Sequence, residues 1–206
     1  MPGIGTKMRL FGKPGKQRRR HRGQALVEFS LIIPIFMTLI VAIAEFSFLL
    51  TIKIGITDTA QDAVQTAAEM GNNPDADFAI LSRVEADLTG PADKTKIQSV
   101  EIIWTNNYGN ANNGEMRYTR TGLLHNKANT ATVPYTADAG GAYPYTARCN
   151  IVSGVGCPSG HSTVDWIAVK ITYQYSWVTP LPGLVGLSST APTIVQFSIC
   201  RMEPIQ

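Results

Sequence analysis

One long apolar segment, "FSLIIPIFMTLIVAIAEFSFLLTI", constrains this chain more than any other feature. It runs from Phe29 to Ile52, and its 24 residues carry a single charge, that of Glu45. An α-helix rises about 1.5 Å per residue, so a helix of this length spans about 36 Å. That length is enough to cross a hydrocarbon core of about 30 Å with some tilt. The segment therefore predicts one membrane-spanning helix.

The charges differ on the two sides of this segment. Residues 1–23 contain eight Lys or Arg and no acid, so the remainder holds ten of the 18 basic residues and all 15 acidic residues. Basic flanks stay in the cytoplasm, which predicts a single span in the cytoplasmic (inner) membrane with the N-terminus inside. Because the basic leader adjoins an apolar run, it favours a membrane partner and no nucleic-acid partner.

A carboxylate lies where the chain enters the apolar segment. The string "RGQALVEF" places Gly23 five positions before Glu28, and an aromatic residue follows at Phe29. This string resembles the processing site of Flp/Tad prepilins, at which a membrane peptidase cleaves after the glycine. The longer string to residue 46 is similar to the N-terminus of the TadE-like family of pseudopilins. The resemblance rests on Gly23, Gln24, Ala25, Glu28, Phe29, Pro34 and the pair Glu45-Phe46.

The resemblance implies a cleavage site and a set of assembly residues. Cleavage between Gly23 and Gln24 creates an α-amine one helical turn before Glu28. A carboxylate in the first turn is favoured by the helix dipole, and an unpaired charge in lipid is costly, so Glu28 is expected to pair with this amine in its own or a neighbouring subunit. Phe29 completes the motif. Glu45 is expected near the outer edge of the bilayer, either snorkelling to the interface or contacting another subunit or an assembly protein.

The residues after the apolar segment predict an α+β fold. Ile56, Ala60, Ala63, Val64, Ala67 and Met70 lie near one helical face, which predicts that the long helix continues as an amphipathic stalk to about residue 71. A second helix is expected over residues 75–90. The expected domains are a basic cytoplasmic leader (1–23), a spanning and stalk helix (24–71) and an extracytoplasmic domain (72–206).

The extracytoplasmic domain is expected to contain a small antiparallel sheet. "KIQSVEIIW" and "EMRYTR" are predicted to pair, and "VDWIAVKITYQYSW" alternates strictly, with Ile167, Val169 and Ile171 on its inner face. A final strand, "TIVQFSICRM", is expected to turn Val195, Phe197 and Ile199 inward. Residues 105–162 have little periodicity and are interpreted as a long irregular loop.

Three cysteines, Cys149, Cys157 and Cys200, follow the span. An oxidising exterior permits disulfides, and the spacing of the first two within a Gly-rich loop predicts that they pair, leaving Cys200 over. A zinc site formed by these two cysteines and His161 is the alternative, although no fourth ligand is evident.

An enzymatic function has little support in the sequence. A hydrolase triad of His161, Ser159 or Ser162, and Asp165 can be written, but its members crowd one short segment, whereas working triads are assembled from separate elements. A phosphate-binding glycine loop, a dinucleotide fingerprint and the H-E-x-x-H motif do not occur, so no cofactor and no small-molecule substrate are expected.

The sequence therefore predicts a structural, pilin-like subunit, a minor pilin or pseudopilin in the assembly of a Tad-type pilus or a related secretion system. Its expected partners are the membrane, a prepilin peptidase, other pilin subunits and the pilus assembly platform. Two alternatives remain. A cleaved secretory signal with an exit at "AIA", residues 42–44, would leave an exposed "EFSFLL" terminus. An uncleaved single-span protein would use its outer domain to bind a ligand or to scaffold other proteins.

Overall fold

The computed structural model describes residues 20–180, 183, 186 and 191–204. Most of the basic leader and most of the Pro/Leu/Gly-rich segment before the last strand therefore lie outside the described residues. The chain divides into two units, residues 1–42 and residues 43–206.

The first element, α1, runs from Arg20 to Met70 and passes through Pro34 without interruption. It ends where the sequence predicts. Gly71 adopts a positive φ of 54°, which favours glycine, and its N–H bonds the carbonyl of Ala67. Within the described residues, Gly23–Met70 is the one helix apolar and long enough to cross a membrane, with a mean hydropathy of 2.5 over its best window.

In the first unit, the described part of α1 exposes large apolar side chains, among them Leu26 (70% exposed) and Ile35 (72%). Such a surface is unfavourable in water and is typical of a helix that meets lipid or other helices. This helix is consistent with a single-span membrane protein or a pilin.

The described residues of the second unit form the second half of α1, a further helix, α2, and seven strands. Five strands form an antiparallel sheet in the order β5-β2-β1-β6-β7, and β3 pairs with β4 in a separate two-stranded sheet. The bounds are α2 Ala76–Asp87, β1 Ile97–Thr105, β2 Ala111–Thr119, β3 Leu124–His125, β4 Thr132–Val133, β5 Thr136–Ala137, β6 Trp166–Gln174 and β7 Thr193–Arg201. The predicted α+β class and the pairing of β1 with β2 are confirmed.

The core lies between the helices and one face of the large sheet. The predicted stripe of α1 is buried at Ile56, Ala60 and Ala63, which join apolar residues of the sheet in one cluster. From β6, Ile167 and Val169 are fully buried, as the strict alternation predicts.

The predicted inner face of β7 is wrong. Val195 is 45% exposed and Phe197 58%, whereas Ile194 is only 8% exposed. The reason is the register with β6, in which Tyr173 lies opposite Ile194 and Ile171 opposite Gln196. The side chains of directly paired residues lie on the same face of the sheet. The buried odd-numbered residues of β6 pair with even-numbered residues of β7, so the even-numbered residues of β7 face the core.

The prediction that residues 105–162 form a long irregular loop is wrong in part. Besides β2, which covers most of the predicted strand "EMRYTR", the region contains the two-residue strands β3, β4 and β5, and it buries Tyr118, Tyr135 and Tyr143. The tyrosines anchor it through their hydroxyls. Tyr118 donates to Asp77 of α2 at 2.6 Å, and Tyr135 donates to Glu85 of α2 at 2.8 Å.

Truncation of the buried stripe should destabilise the second unit. We expect Ile56→Ala to lower the free energy of unfolding by about 2–5 kcal/mol, because it leaves a cavity at a fully buried position. Ile54→Ala, two residues earlier at a position 53% exposed, should change it by less than about 0.5 kcal/mol. Urea unfolding of the full chain in micelles measures both, and equal losses would contradict this account of the core.

Candidate assembly site

The predicted processing motif lies on an exposed stretch of α1 in the first unit. Among the described residues outside its own helix, Gly23 has no atom within 4 Å of where a Cβ would be. The Gln24 side chain donates from Nε2 to Oε1 of Glu28 at 3.0 Å, and Phe29 is 64% exposed.

The helix already includes this bond, since α1 begins at Arg20. Removal of the residues before Gln24 would make Gln24 the first residue of the helix. The positive end of the helix dipole and a new α-amine would then both lie one turn from Glu28. The arrangement is suited to a carboxylate that acquires its partner after cleavage.

Glu45 has a different environment from the one expected. Glu45 is 4% exposed. Its carboxylate accepts hydrogen bonds from the segment after β6, among them those of the Tyr175 hydroxyl at 2.5 Å and of the backbone N–H groups of Val178 (3.1 Å) and Thr179 (2.8 Å). It fastens the segment after β6 to α1, and we call this arrangement the Glu45 clamp.

The clamp depends on a protonated tyrosine. Burial and the adjacent carboxylate of Glu45 raise the pKa of the Tyr175 hydroxyl above its ordinary value, so Tyr175 remains a donor throughout the physiological range. The Trp177 ring meets the Tyr175 ring edge-on at a centroid distance of 5.6 Å and helps to fix its orientation.

The exposed apolar surface of α1 extends past Glu45. Phe46 is 65% exposed and Leu50 45%, whereas Glu45 before them is 4% exposed. Glu45 is therefore a buried, hydrogen-bonded acid within the apolar segment and does not mark its end.

A second polar cluster forms around Asp165. Asp165 is 4% exposed. Its carboxylate accepts hydrogen bonds from the Tyr143 hydroxyl (2.8 Å) and from the backbone N–H of Cys149 (2.9 Å). The other oxygen of the Asp165 carboxylate is hydrogen-bonded to Nδ1 of the His161 ring at 2.5 Å. Burial and the neighbouring Asp165 raise the pKa of the Tyr143 hydroxyl above its ordinary value, so it too stays a donor.

The cysteines lie beside this cluster. Cys149 and Cys157 are joined in the structure, with Cα atoms 5.1 Å apart, and Cys200 is a partly buried free thiol on β7. The two paired sulfurs are thereby occupied and cannot serve as zinc thiolates. Among the described residues, no group of three or more His, Cys, Asp or Glu side chains is placed to hold a metal.

The hypothetical triad is brought together only in part. His161 and Asp165 are bonded, but Ser159 and Ser162 are exposed, and within the described part of the chain no hydrogen bond links either serine to His161. The imidazole instead stacks on Trp104 with ring centroids 4.0 Å apart. Within the described residues, His161 and Asp165 therefore form a packed, hydrogen-bonded pair, and neither serine is placed as a nucleophile that His161 could activate.

Sequence reasoning found the processing motif but missed Tyr175 as a functional residue. Tyr175 fits the alternation of the β6 segment and is expected only to fill the core, and its partner Glu45 lies 130 positions earlier. The one available signal was Glu45 itself, since an acid in an apolar segment requires donors.

Comparison with known proteins agrees with the N-terminal resemblance. Residues 23–68 match the model of the TadE-like protein family. The match covers most of α1 and leaves the sheet domain unmatched. No curated protein and no solved structure matches the chain.

The Glu45 clamp can be tested by removing one hydroxyl. We expect Tyr175→Phe to destabilise the segment after β6 by about 1–3 kcal/mol, because a buried carboxylate loses a donor. Hydrogen exchange of the Val178 and Thr179 amides should accelerate accordingly. The control is Tyr145→Phe, because no hydrogen bond of the Tyr145 hydroxyl occurs among the described residues. Unchanged exchange in Tyr175→Phe would argue against the clamp.

Proposed function

We propose, on the basis of the TadE-like domain in α1, that this chain is a minor pilin or pseudopilin that acts in assembling a Tad-type pilus or a related secretion system. Proteins of the TadE-like family are pilin-like, associated with Tad pili and generally non-enzymatic. The proposal adds that a prepilin peptidase removes the basic leader, residues 1–23. Its partners are then the membrane, other pilin subunits and the assembly platform.

The observation that carries this proposal is the placement of the motif. Among the described residues, Glu28 follows Gly23 after four residues on an exposed helical stretch, and its one hydrogen bond there comes from the Gln24 side chain. A carboxylate can accept several hydrogen bonds, so Glu28 can also accept one from the α-amine that cleavage would generate.

The proposed role of Glu28 is to set the register between subunits. In a low-dielectric environment an ammonium and a carboxylate attract strongly, and either one left unpaired costs several kcal/mol. The α-amine of Gln24, in the same or a neighbouring subunit, would be the partner. Phe29, which is largely exposed, adds apolar contact surface next to this pair.

The Glu45 clamp supports the proposal indirectly. A subunit held by its helix in the membrane or in a bundle must transmit the position of that helix to its outer domain. Three hydrogen bonds from the segment after β6 to one carboxylate of α1 provide such a connection. In this proposal Glu45 acts in assembly by orienting the extracytoplasmic domain (72–206) on the helix (24–71).

Processing is tested by a substitution that the fold tolerates. Gly23→Leu should abolish leader removal, because the peptidase requires a small residue before the scissile bond, while the open surroundings leave the helix intact. Mass spectrometry should find mature wild-type protein beginning at Gln24 and the variant carrying residues 1–23. Gly55→Leu is the matched control, since Gly55 is likewise helical with no atom within 4 Å, and it should be processed normally.

Two results would contradict this prediction. An intact Met1 on wild-type membrane protein would favour the uncleaved single-span alternative. Normal cleavage of Gly23→Leu would show that the glycine does not define the processing site.

The role of Glu28 is tested by Glu28→Gln. We expect membrane insertion and cleavage to be retained, because the change removes a charge and keeps a good helix former. Crosslinking to sister subunits should fall about tenfold or more, because the amine loses its counter-charge. Glu69→Gln is a matched control, since Gln65 donates to Glu69 four residues on, as Gln24 does to Glu28. Equal crosslinking of all three proteins would leave Glu28 without a role in assembly.

A further inference from the structure

The strand β7 forms one border of the five-stranded sheet. It pairs with β6 along its whole length, Thr193–Arg201, and it is the last strand in the order of the sheet. Among the described residues, no further strand pairs with it. In an antiparallel sheet, alternate N–H and C=O groups of a border strand point away from its neighbour. We call this unpaired side of β7 the β7 edge.

The β7 edge lacks the features that usually protect an exposed edge. Protected edges are short or bulged, or they carry Pro or charged side chains. The pairing of β7 with β6 has no register shift, and residues 193–200 contain neither Pro nor a charged residue. An uninterrupted edge of this length can template a further strand.

The opposite border of the sheet is covered by the chain itself. The strand β5 pairs there with two residues of β2, and the segment that follows β5 continues to bond the backbone of β2. The N–H of Asp138 donates to the carbonyl of Arg117 at 2.9 Å, and the N–H of Ala142 donates to the carbonyl of Glu115 at 2.9 Å. The two borders therefore differ, and the β7 edge is the side on which another chain can pair.

A groove of about 280 Å³ lies along the first part of the β7 edge. It is lined by Leu49 and Lys53 of α1 and by residues 192–196. Since Ile194 and Val195 point to opposite faces of the sheet and both line the groove, the groove lies at the edge of the strand. A strand added to β7 would place a side chain in this groove, next to α1.

The side chains around the β7 edge restrict the sequence of an added strand. On the outer face of the sheet, Val195 and Phe197 are 45% and 58% exposed, so apolar side chains suit the added strand on that face. Lys53 at the groove and Arg201 at the far end of β7 are also exposed, and no ion pair of theirs occurs among the described residues. An acid at each end of the added strand would be complementary to these two cations.

A second copy of β7 does not provide this complementarity. In an antiparallel pairing of two β7 strands centred on Phe197, Arg201 of one copy would lie opposite Thr193 of the other. Thr193 and Lys53 line the same groove, so two cations would be brought together. Like charges placed side by side disfavour a partner, whereas a segment with acidic ends is favoured.

We propose that the β7 edge binds an extended segment of another protein, which adds an antiparallel strand to the sheet. The segment is about as long as β7 and alternates apolar and polar side chains. Backbone hydrogen bonds to β7 supply the affinity, and its apolar side chains cover Val195 and Phe197. One terminal acid faces α1 and meets Lys53, and the other lies on the outer face beside Arg201.

The proposal is tested on the full chain in lipid nanodiscs with a synthetic peptide, DTVTVTVD, acetylated and amidated at its ends. Its valines lie on one face, with one acid on that face and one on the other. We expect binding in the millimolar range or tighter, measured by fluorescence anisotropy of the labelled peptide. Near saturation, the β7 amides that do not bond β6 should exchange hydrogen about fivefold more slowly.

Matched variants separate pairing at the β7 edge from other binding. Phe197→Lys, at an exposed position, should weaken peptide binding about tenfold, because it removes apolar contact and adds a charge to the edge. Leu123→Lys is the control, since Leu123 is 64% exposed and lies outside the five-stranded sheet, and it should bind as wild type does. The peptide KTVTVTVK should bind about threefold more weakly than DTVTVTVD, and Lys53→Glu should reduce this difference.

Four results would overturn the proposal. They are no binding of DTVTVTVD at several millimolar, unchanged binding by Phe197→Lys, slowed exchange confined to amides outside β7, and equal binding of the acidic and basic peptides. Self-association of the peptide-free chain that Phe197→Lys abolishes would assign the β7 edge to a second copy and would also overturn it.

Discussion

The packing of the second half of α1 against the five-stranded sheet is the interaction on which the rest of this structure depends. Ile56, Ala60, Ala63 and Ala67 are at most 1% exposed, and they belong to one buried cluster with apolar residues of the sheet, among them Ile167 and Val169. The same helix continues, without a break, into the exposed apolar stretch that ends at its N-terminus. The helix α1 therefore contributes to the core of the domain with its second half and exposes apolar side chains along its first half.

The Glu45 clamp gives the segment after β6 a defined attachment point on α1. Hydrophobic burial alone does not fix the position of a helix along its axis, because another apolar turn could be buried in its place. Three hydrogen bonds to a single buried carboxylate can be satisfied in only one position. The clamp therefore fixes which turn of α1 the segment after β6 meets.

Those parts of the fold that depend on local pattern could be predicted from the sequence. The end of α1 at Gly71 follows from backbone preferences, and the buried face of β6 follows from an alternation of apolar and polar residues. The face of β7 could not be predicted, because Ile194 on one side and Phe197 on the other are both apolar. Only the register with β6, a tertiary property, decides between them.

The candidate sites divide in the same way. Gly23, Gln24 and Glu28 could be proposed as a site from the sequence, because they lie close together on one helix. The Glu45 clamp and the polar cluster around Asp165 are assembled from residues far apart in the chain, such as Glu45 and Tyr175 or Trp104 and His161. Their sequence signals are single polar residues in apolar surroundings, which show that a partner is needed but do not identify it.

The two polar clusters are related through β6. Asp165 directly precedes this nine-residue strand, and Tyr175 directly follows it. A slip of one residue in its pairing would turn the buried face outward and would also withdraw the carboxylate of Asp165 from His161 and the hydroxyl of Tyr175 from Glu45. The register of β6 is thus specified three times, once by apolar burial and once by hydrogen bonds at each end. Because a strand of this length extends about 30 Å, the clamp on α1 and the polar cluster around Asp165 are held a fixed distance apart along the sheet.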